Sequence, residues 1–169
     1  MHATLPVSIC EVQTANGLVA YVTLVPAGEA VKRGLVAQEI IGQLLDATRA
    51  DRQIDPANFA RNRAFVDFLH EAIQKHAPAL PNLIDAAKAQ GMGWVYIIDG
   101  RTPTPQGAVP PEDVIGGFQV DDGEILDGSY RANPNHRILS QRGFFQLDPD
   151  LERWVLADLA AHIERSLKS

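Results

Sequence analysis

Residues 99–147 read DGRTPTPQGAVPPEDVIGGFQVDDGEILDGSYRANPNHRILSQRGFFQL. Three segments here, 115–120, 124–130 and 136–140, are strand-like, and turn residues separate them. Asp122-Gly123 tolerates the positive φ of a tight hairpin, and Asn133-Pro134-Asn135 marks a second reversal. The reading is an antiparallel meander, with 144–147 either extending the pairing or plugging the core.

Charge in this stretch is sorted by sign. Between Arg101 and Arg131 there is no Lys or Arg, yet six acids stand there: Glu112, Asp113, Asp121, Asp122, Glu124 and Asp127. From Gly128 to Leu147 there is no acid, only Arg131, Arg137, Arg142 and the titratable His136. Residues 102–130 carry a formal −6, equal to the net charge of all 169 residues, so the rest of the chain is balanced.

Working outward, the chain is long enough to bury a sizeable core as one domain. With 46% hydrophobic and 21% charged residues it belongs with folded proteins rather than disordered tails. No apolar run approaches the ~20 residues that cross a bilayer. Residues 1–6 hold no basic residue followed by an apolar block, so no signal peptide is expected. Cys10 is the only cysteine, which excludes an intramolecular disulfide and a thiolate-rich zinc site and suits a cytoplasmic protein. Net negative charge argues against nucleic-acid binding, which needs many phosphate-neutralising Lys and Arg residues.

The N-terminal part predicts a hairpin, 7–12 with 18–25, turning at Asn16-Gly17. The second of these runs is apolar on both faces and belongs in the middle of a sheet. After Pro26-Ala27-Gly28 a helix is expected to about Ala47, with Ala37, Ile40, Ile41, Leu44 and Leu45 on one face. Asp55-Pro56 reads as an N-cap with proline in the first turn of a helix running to about His76, striped by Phe65, Phe68, Leu69, Ala72 and Ile73. A short helix through Leu83, Ile84 and Ala87 ends at Gly91. Residues 94–98 read as a fully buried strand. A final helix is capped by Asp148, begins at Pro149 and repeats Val155, Leu159 and Ile163 at helical spacing.

The expected fold is therefore α+β in a single domain: an antiparallel sheet of about five strands, hairpin plus meander, with helices packed on it. That order of elements resembles profilin-like, longin and GAF layouts by analogy alone, and one such order hosts many functions.

Candidate functional residues cluster in the opening stretch. If Arg131 pairs with Arg137 across the turn, both guanidinium groups leave one sheet face and Tyr130 and Ile138 face the other. Arginine forks suit carboxylate or phosphate, so Arg131, Arg137, His136 and Arg101 are the ligand-binding candidates. The competing reading pairs these arginines with Asp121 or Asp127 as internal counter-ions. Asp99 and His136 are the residues that would serve as general base if the chain were an enzyme. Asp121-Asp122-Gly123-Glu124 lacks the spacing of a calcium loop, and Asp67, His70 and Glu71 lack a second histidine, so no metal and no cofactor is expected. Gly116-Gly117 has no helix directly after it, unlike a phosphate loop, and is expected to allow a bulge or a close backbone contact. Four prolines between Thr102 and Pro111 give a stiff loop, read as a lid or a contact surface.

Three functions fit these residues. The first is a binding or regulatory module engaging a protein partner or small anionic ligand through 99–147, compatible with a homo-oligomer. The second is a small enzyme acting on an anionic metabolite. The third is a structural subunit with no small-molecule site.

Overall fold

A computed structural model describes residues 7–25, 27–47, 54–102 and 109–168. Pro103 and Pro105 of the proline loop, Pro26 and residues 1–6 lie outside the described residues. The fold is mixed α+β, with antiparallel sheets and packed helices. In chain order come β1 (Ser8–Thr14), β2 (Gly17–Thr23), α1 (Ala27–Arg33), β3 (Ile40–Leu44), β4 (Phe59–Arg61) and α2 (Arg63–His76). There follow α3 (Pro81–Gln90), β5 (Gly93–Ile98), β6 (Val114–Asp121), β7 (Glu124–Ile125) and β8 (Arg131–Ala132). The chain ends with β9 (Leu139–Ser140), β10 (Gly143–Phe144) and α4 (Pro149–Lys168). No described helix is long and apolar enough to cross a membrane.

The chain divides into two compact units. One comprises residues 4–69, 139–144 and 156–169. Its sheet has the order β1-β2-β3-β4, all antiparallel. β2 is central, as its two apolar faces predict, and Cys10, Ala20 and Val22 are buried. The hairpin turns one residue earlier than expected. Thr14 pairs with Gly17 around Ala15-Asn16, and the Thr14 hydroxyl donates to the Gly17 carbonyl at 2.8 Å.

The helix expected to Ala47 stops at Arg33, and residues 40–44 form β3 instead. Ile40-Ile41 favours a strand, and a two-faced central strand such as β2 needs a neighbour on its second edge. Leu45, expected in the helix core, is 62% exposed. Gly42 admits the close approach of β4, since a Cβ there would collide with the Ala60 carbonyl and the Phe59 ring. Asp55 does cap a turn, accepting from the Ala57 N–H at 2.9 Å with proline in the first position. That turn is one 3-10 turn leading into β4, and α2 starts only at Arg63. Missed in the sequence is a bidentate pair: Arg33 donates to both oxygens of the fully buried Glu39 at 2.8 and 3.0 Å. The interaction raises Arg33 above the ordinary arginine value, chiefly through that hydrogen bond to Glu39.

The other unit comprises the described residues of 70–138 and 145–155. Its sheet has β6 between β5 on one side and β7 and β8 on the other. Hairpin and meander thus go to different sheets rather than to one of about five strands. Asp122 and Gly123 take φ of 52° and 75°, the tight turn their residue types predict. Val95, Ile97, Phe118 and Val120 are buried, and α3 packs against β5. Residues 94–98 are not fully buried, because Tyr96 is 55% exposed. α3 ends at Gly91 (φ 76°), and Asp148 caps α4 by accepting from the Asp150 N–H at 2.9 Å.

The glycine pair makes close contacts on both faces. A Cβ on Gly116 would strike the Tyr130 ring and hydroxyl, and one on Gly117 would lie 2.9 Å from the Tyr96 ring. Successive residues of a strand point to opposite faces. Gly116 therefore admits Tyr130 on one side while Gly117 admits Tyr96 on the other.

Candidate functional site

β5 ends at Ile98, Asp99 follows it directly, and the chain turns at Gly100-Arg101. The Asp99 carboxylate accepts from the Arg101 N–H two residues on at 3.0 Å, a local turn common for aspartate. It also accepts from the Arg101 guanidinium at 2.8 Å, the Gln146 N–H at 2.9 Å and His136 Nε2 at 2.9 Å. The same Arg101 nitrogen donates to the Arg137 carbonyl at 2.6 Å. Arg101 Nε stands 3.8 Å from Asp113, whose other oxygen accepts from the Thr102 hydroxyl. Asp99, Arg101, Asp113 and His136 are all buried.

This network ties four segments together: 99–102, 112–113, 136–137 and 145–146. Backbone bonds run alongside it, from Asp99 N–H to Asp113, Gly100 N–H to Gln146 and Arg137 N–H to Glu112. Burial pushes the Asp99 pKa up, but the hydrogen bonds from His136 and Arg101, with the Arg101 charge, outweigh it and hold the group below the ordinary carboxylate value. An ionised carboxylate offers about four acceptor positions, and all are taken here. Such a group anchors its neighbours and is a poor proton acceptor. His136 directs one ring nitrogen at Asp99 and meets Phe145 edge-on at 6.2 Å.

The chain around the turn at 133–135 lies against β6 as a strap. Arg131 registers with Gly117 and Ala132 with Gly116. The Asn133 side chain donates to the Pro111 and Val114 carbonyls, and its N–H to Ile115. Arg131 and Arg137 therefore do not face each other across the turn, as the sequence reading assumed. They stand at opposite ends of the strap, because Asn133 bonds back to Ile115, Val114 and Pro111 through its N–H and side chain while its carbonyl closes only a single turn with the His136 N–H at 3.1 Å. Ile138 is buried as expected, and Tyr130 packs its ring 5.0 Å from Phe118 and shares a 2.7 Å hydrogen bond with His70.

The residues read as a group thus divide. Asp99, Arg101 and His136 come together in the buried network, while Arg131 and Arg137 are exposed. Among the described residues, neither exposed guanidinium has an ion-pair or hydrogen-bond partner, so neither pairs with Asp121 or Asp127. Asp113, Thr102 and Gln146 join the network without being singled out in the sequence. Asp113 looked like one more acid of a charged run, and nothing local distinguishes a buried acid from a solvated one. Among the described residues, no three His, Cys, Asp or Glu side chains are placed to hold a metal ion.

No protein-family model, curated protein or solved structure matches this chain.

Proposed function

We propose that the chain is a binding module that engages an acidic group on a protein or small molecule through Arg131 and Arg137. The observation that carries this reading is the division of charge just described. Arg101 is neutralised internally by Asp99 and Asp113, whereas the exposed guanidinium groups of Arg131 and Arg137 have no partner among the described residues and stand on a strap pinned by backbone bonds. Guanidinium forks are well shaped for carboxylates and phosphates, and a fixed backbone lowers the ordering cost of using them. In this reading His136 and Arg101 hold the strap and do not touch the ligand. The acids of the β6–β7 turn, Asp121, Asp122 and Glu124, are exposed and discourage wrong approaches of an acidic partner.

The test is a fluorescence-anisotropy titration with a labelled oligoglutamate peptide at low and moderate salt. Wild type is expected to bind in a salt-sensitive manner, and the double variant Arg131→Glu/Arg137→Glu to lose binding while unfolding at the same urea concentration. Equal binding by both proteins, or none by wild type, would sink the reading.

A further inference from the structure

β5 is the terminal strand of its sheet, pairing with β6 along one edge alone. Along its other edge, no described residue hydrogen-bonds to Gly93–Ile98. A strand edge left open exposes a row of unpaired N–H and C=O groups, and proteins normally blunt it with lysine, proline or a bulge. The sequence here, Gly-Trp-Val-Tyr-Ile-Ile, carries no charge and no proline. It is rich in the aromatic and β-branched residues that favour strand pairing.

A cavity of about 230 Å³ opens at the C-terminal end of this strand. Leu80 and Leu83 at the start of α3, Tyr96 and Ile98 from β5, and the residues Asp99 and Asp148 line it. The Gly100 N–H donates to Gln146, which brings 146–148 beside the strand end and places Asp148 at the cavity. Among the described residues, no Lys, Arg or His lines the cavity. Asp99 already has its acceptor positions filled and Arg101 against it. Asp148 uses Oδ1 on the Asp150 N–H and has no cation beside it among the described residues.

We infer that the open edge of β5 receives an extended segment of a partner protein as an added strand, with a lysine or arginine of that segment entering the cavity beside Asp148. Backbone pairing supplies sequence-tolerant affinity, and the cavity supplies selection at one side-chain position. The choice of a basic side chain follows from charge complementarity: the apolar wall of Leu80, Leu83 and Ile98 suits an alkyl stem, and Asp148 suits its charged end. This surface is separate from Arg131 and Arg137, and its test does not depend on them.

The probe is a short labelled peptide alternating valine and threonine with a central lysine, compared with the same peptide carrying norleucine instead. Asp148→Asn keeps the helix cap, because asparagine caps as well as aspartate, and removes the charge. Tyr96→Lys places a charge on the open edge at an exposed position. The lysine peptide is expected to bind wild type about tenfold more tightly than the norleucine peptide, with Asp148→Asn narrowing that ratio to about twofold. Tyr96→Lys is expected to weaken both peptides. Hydrogen exchange is expected to show fast amides within 93–98 in the free protein that slow in the complex.

Equal affinity for the two peptides, an unchanged ratio in Asp148→Asn, or no binding of either would overturn the inference. So would strand amides already protected in the free protein. A dimer in light scattering that Tyr96→Lys dissociates would assign the edge to a second copy instead and equally overturn it.

Discussion

His136 Nε2 lies 2.9 Å from Asp99 Oδ2 across 37 residues of sequence, with both side chains buried. The pair fixes the strap to the end of β5, and Arg101 links Asp99 to the strap backbone at the Arg137 carbonyl. Removing one member of a buried charged set leaves the others without compensation, which costs far more than losing a surface ion pair.

Arg101→Met is therefore expected to destabilise the protein by about 3–5 kcal/mol, since it strands the Asp99 and Asp113 carboxylates in the interior. Urea unfolding followed by tryptophan fluorescence measures this. A midpoint within error of wild type would show that water compensates both acids.

Acid should unfold the protein through Asp99. Its folded pKa lies below the ordinary 3.8, so its contribution is fully present above that value and is lost as pH falls through the lower, folded value. Stability measured from pH 7 down to pH 2 is expected to drop steeply below about pH 4 in wild type. Asp99→Asn should start less stable and lose less over the same range. Parallel pH profiles for the two proteins would assign the acid sensitivity to other carboxylates.

The glycine pair should separate by face. Gly116→Ala forces the Tyr130 ring and its bond to His70 to move within the core, at an expected cost of about 2 kcal/mol. Gly117→Ala meets the ring of the exposed Tyr96, which can swing outward, and comes within 3.2 Å of the Val95 carbonyl, a milder approach than the Tyr130 collision, and should cost less than half as much. Thermal unfolding of the two variants checks the order, and a larger loss for Gly117→Ala would reverse it.

Tyr130 should resist ionisation. Burial raises its pKa well above the ordinary 10, so the folded state keeps the phenol neutral while the unfolded chain ionises. Its contribution to stability is complete below pH 10 and declines as pH rises beyond it. Ultraviolet titration of the three tyrosines is expected to show one that ionises only on unfolding, and Tyr130→Phe to abolish that step.

Local chemistry made much of the fold legible. The cap at Asp148-Pro149, the turn at Asp122-Gly123, the stop at Gly91 and the buried stripe of α2 each depend on residues within a few positions of one another. β3 was illegible for the opposite reason. Ile40, Ile41, Leu44 and Leu45 satisfy both helical and strand spacing, and what decides between them is the open edge of β2, 17 or more residues earlier in the chain. The candidate site divides in the same way. Arg131 and Arg137 stood out as cations in an acid-free run, but their pairing partners depended on a register that Asn133 sets through bonds to Pro111 and Val114.

The α+β class, the turn at Asp122-Gly123, the central place of β2 and the sorting of charge by sign along 99–147 could all be read from the residues alone. Which charges enter the interior was settled by long-range packing. Asp99, Arg101, Asp113 and His136 lose their water together and must satisfy one another, whereas Arg131 and Arg137 keep theirs. Hydration is a property of a residue's place in three dimensions, and a run of like charges in one dimension carries no record of it.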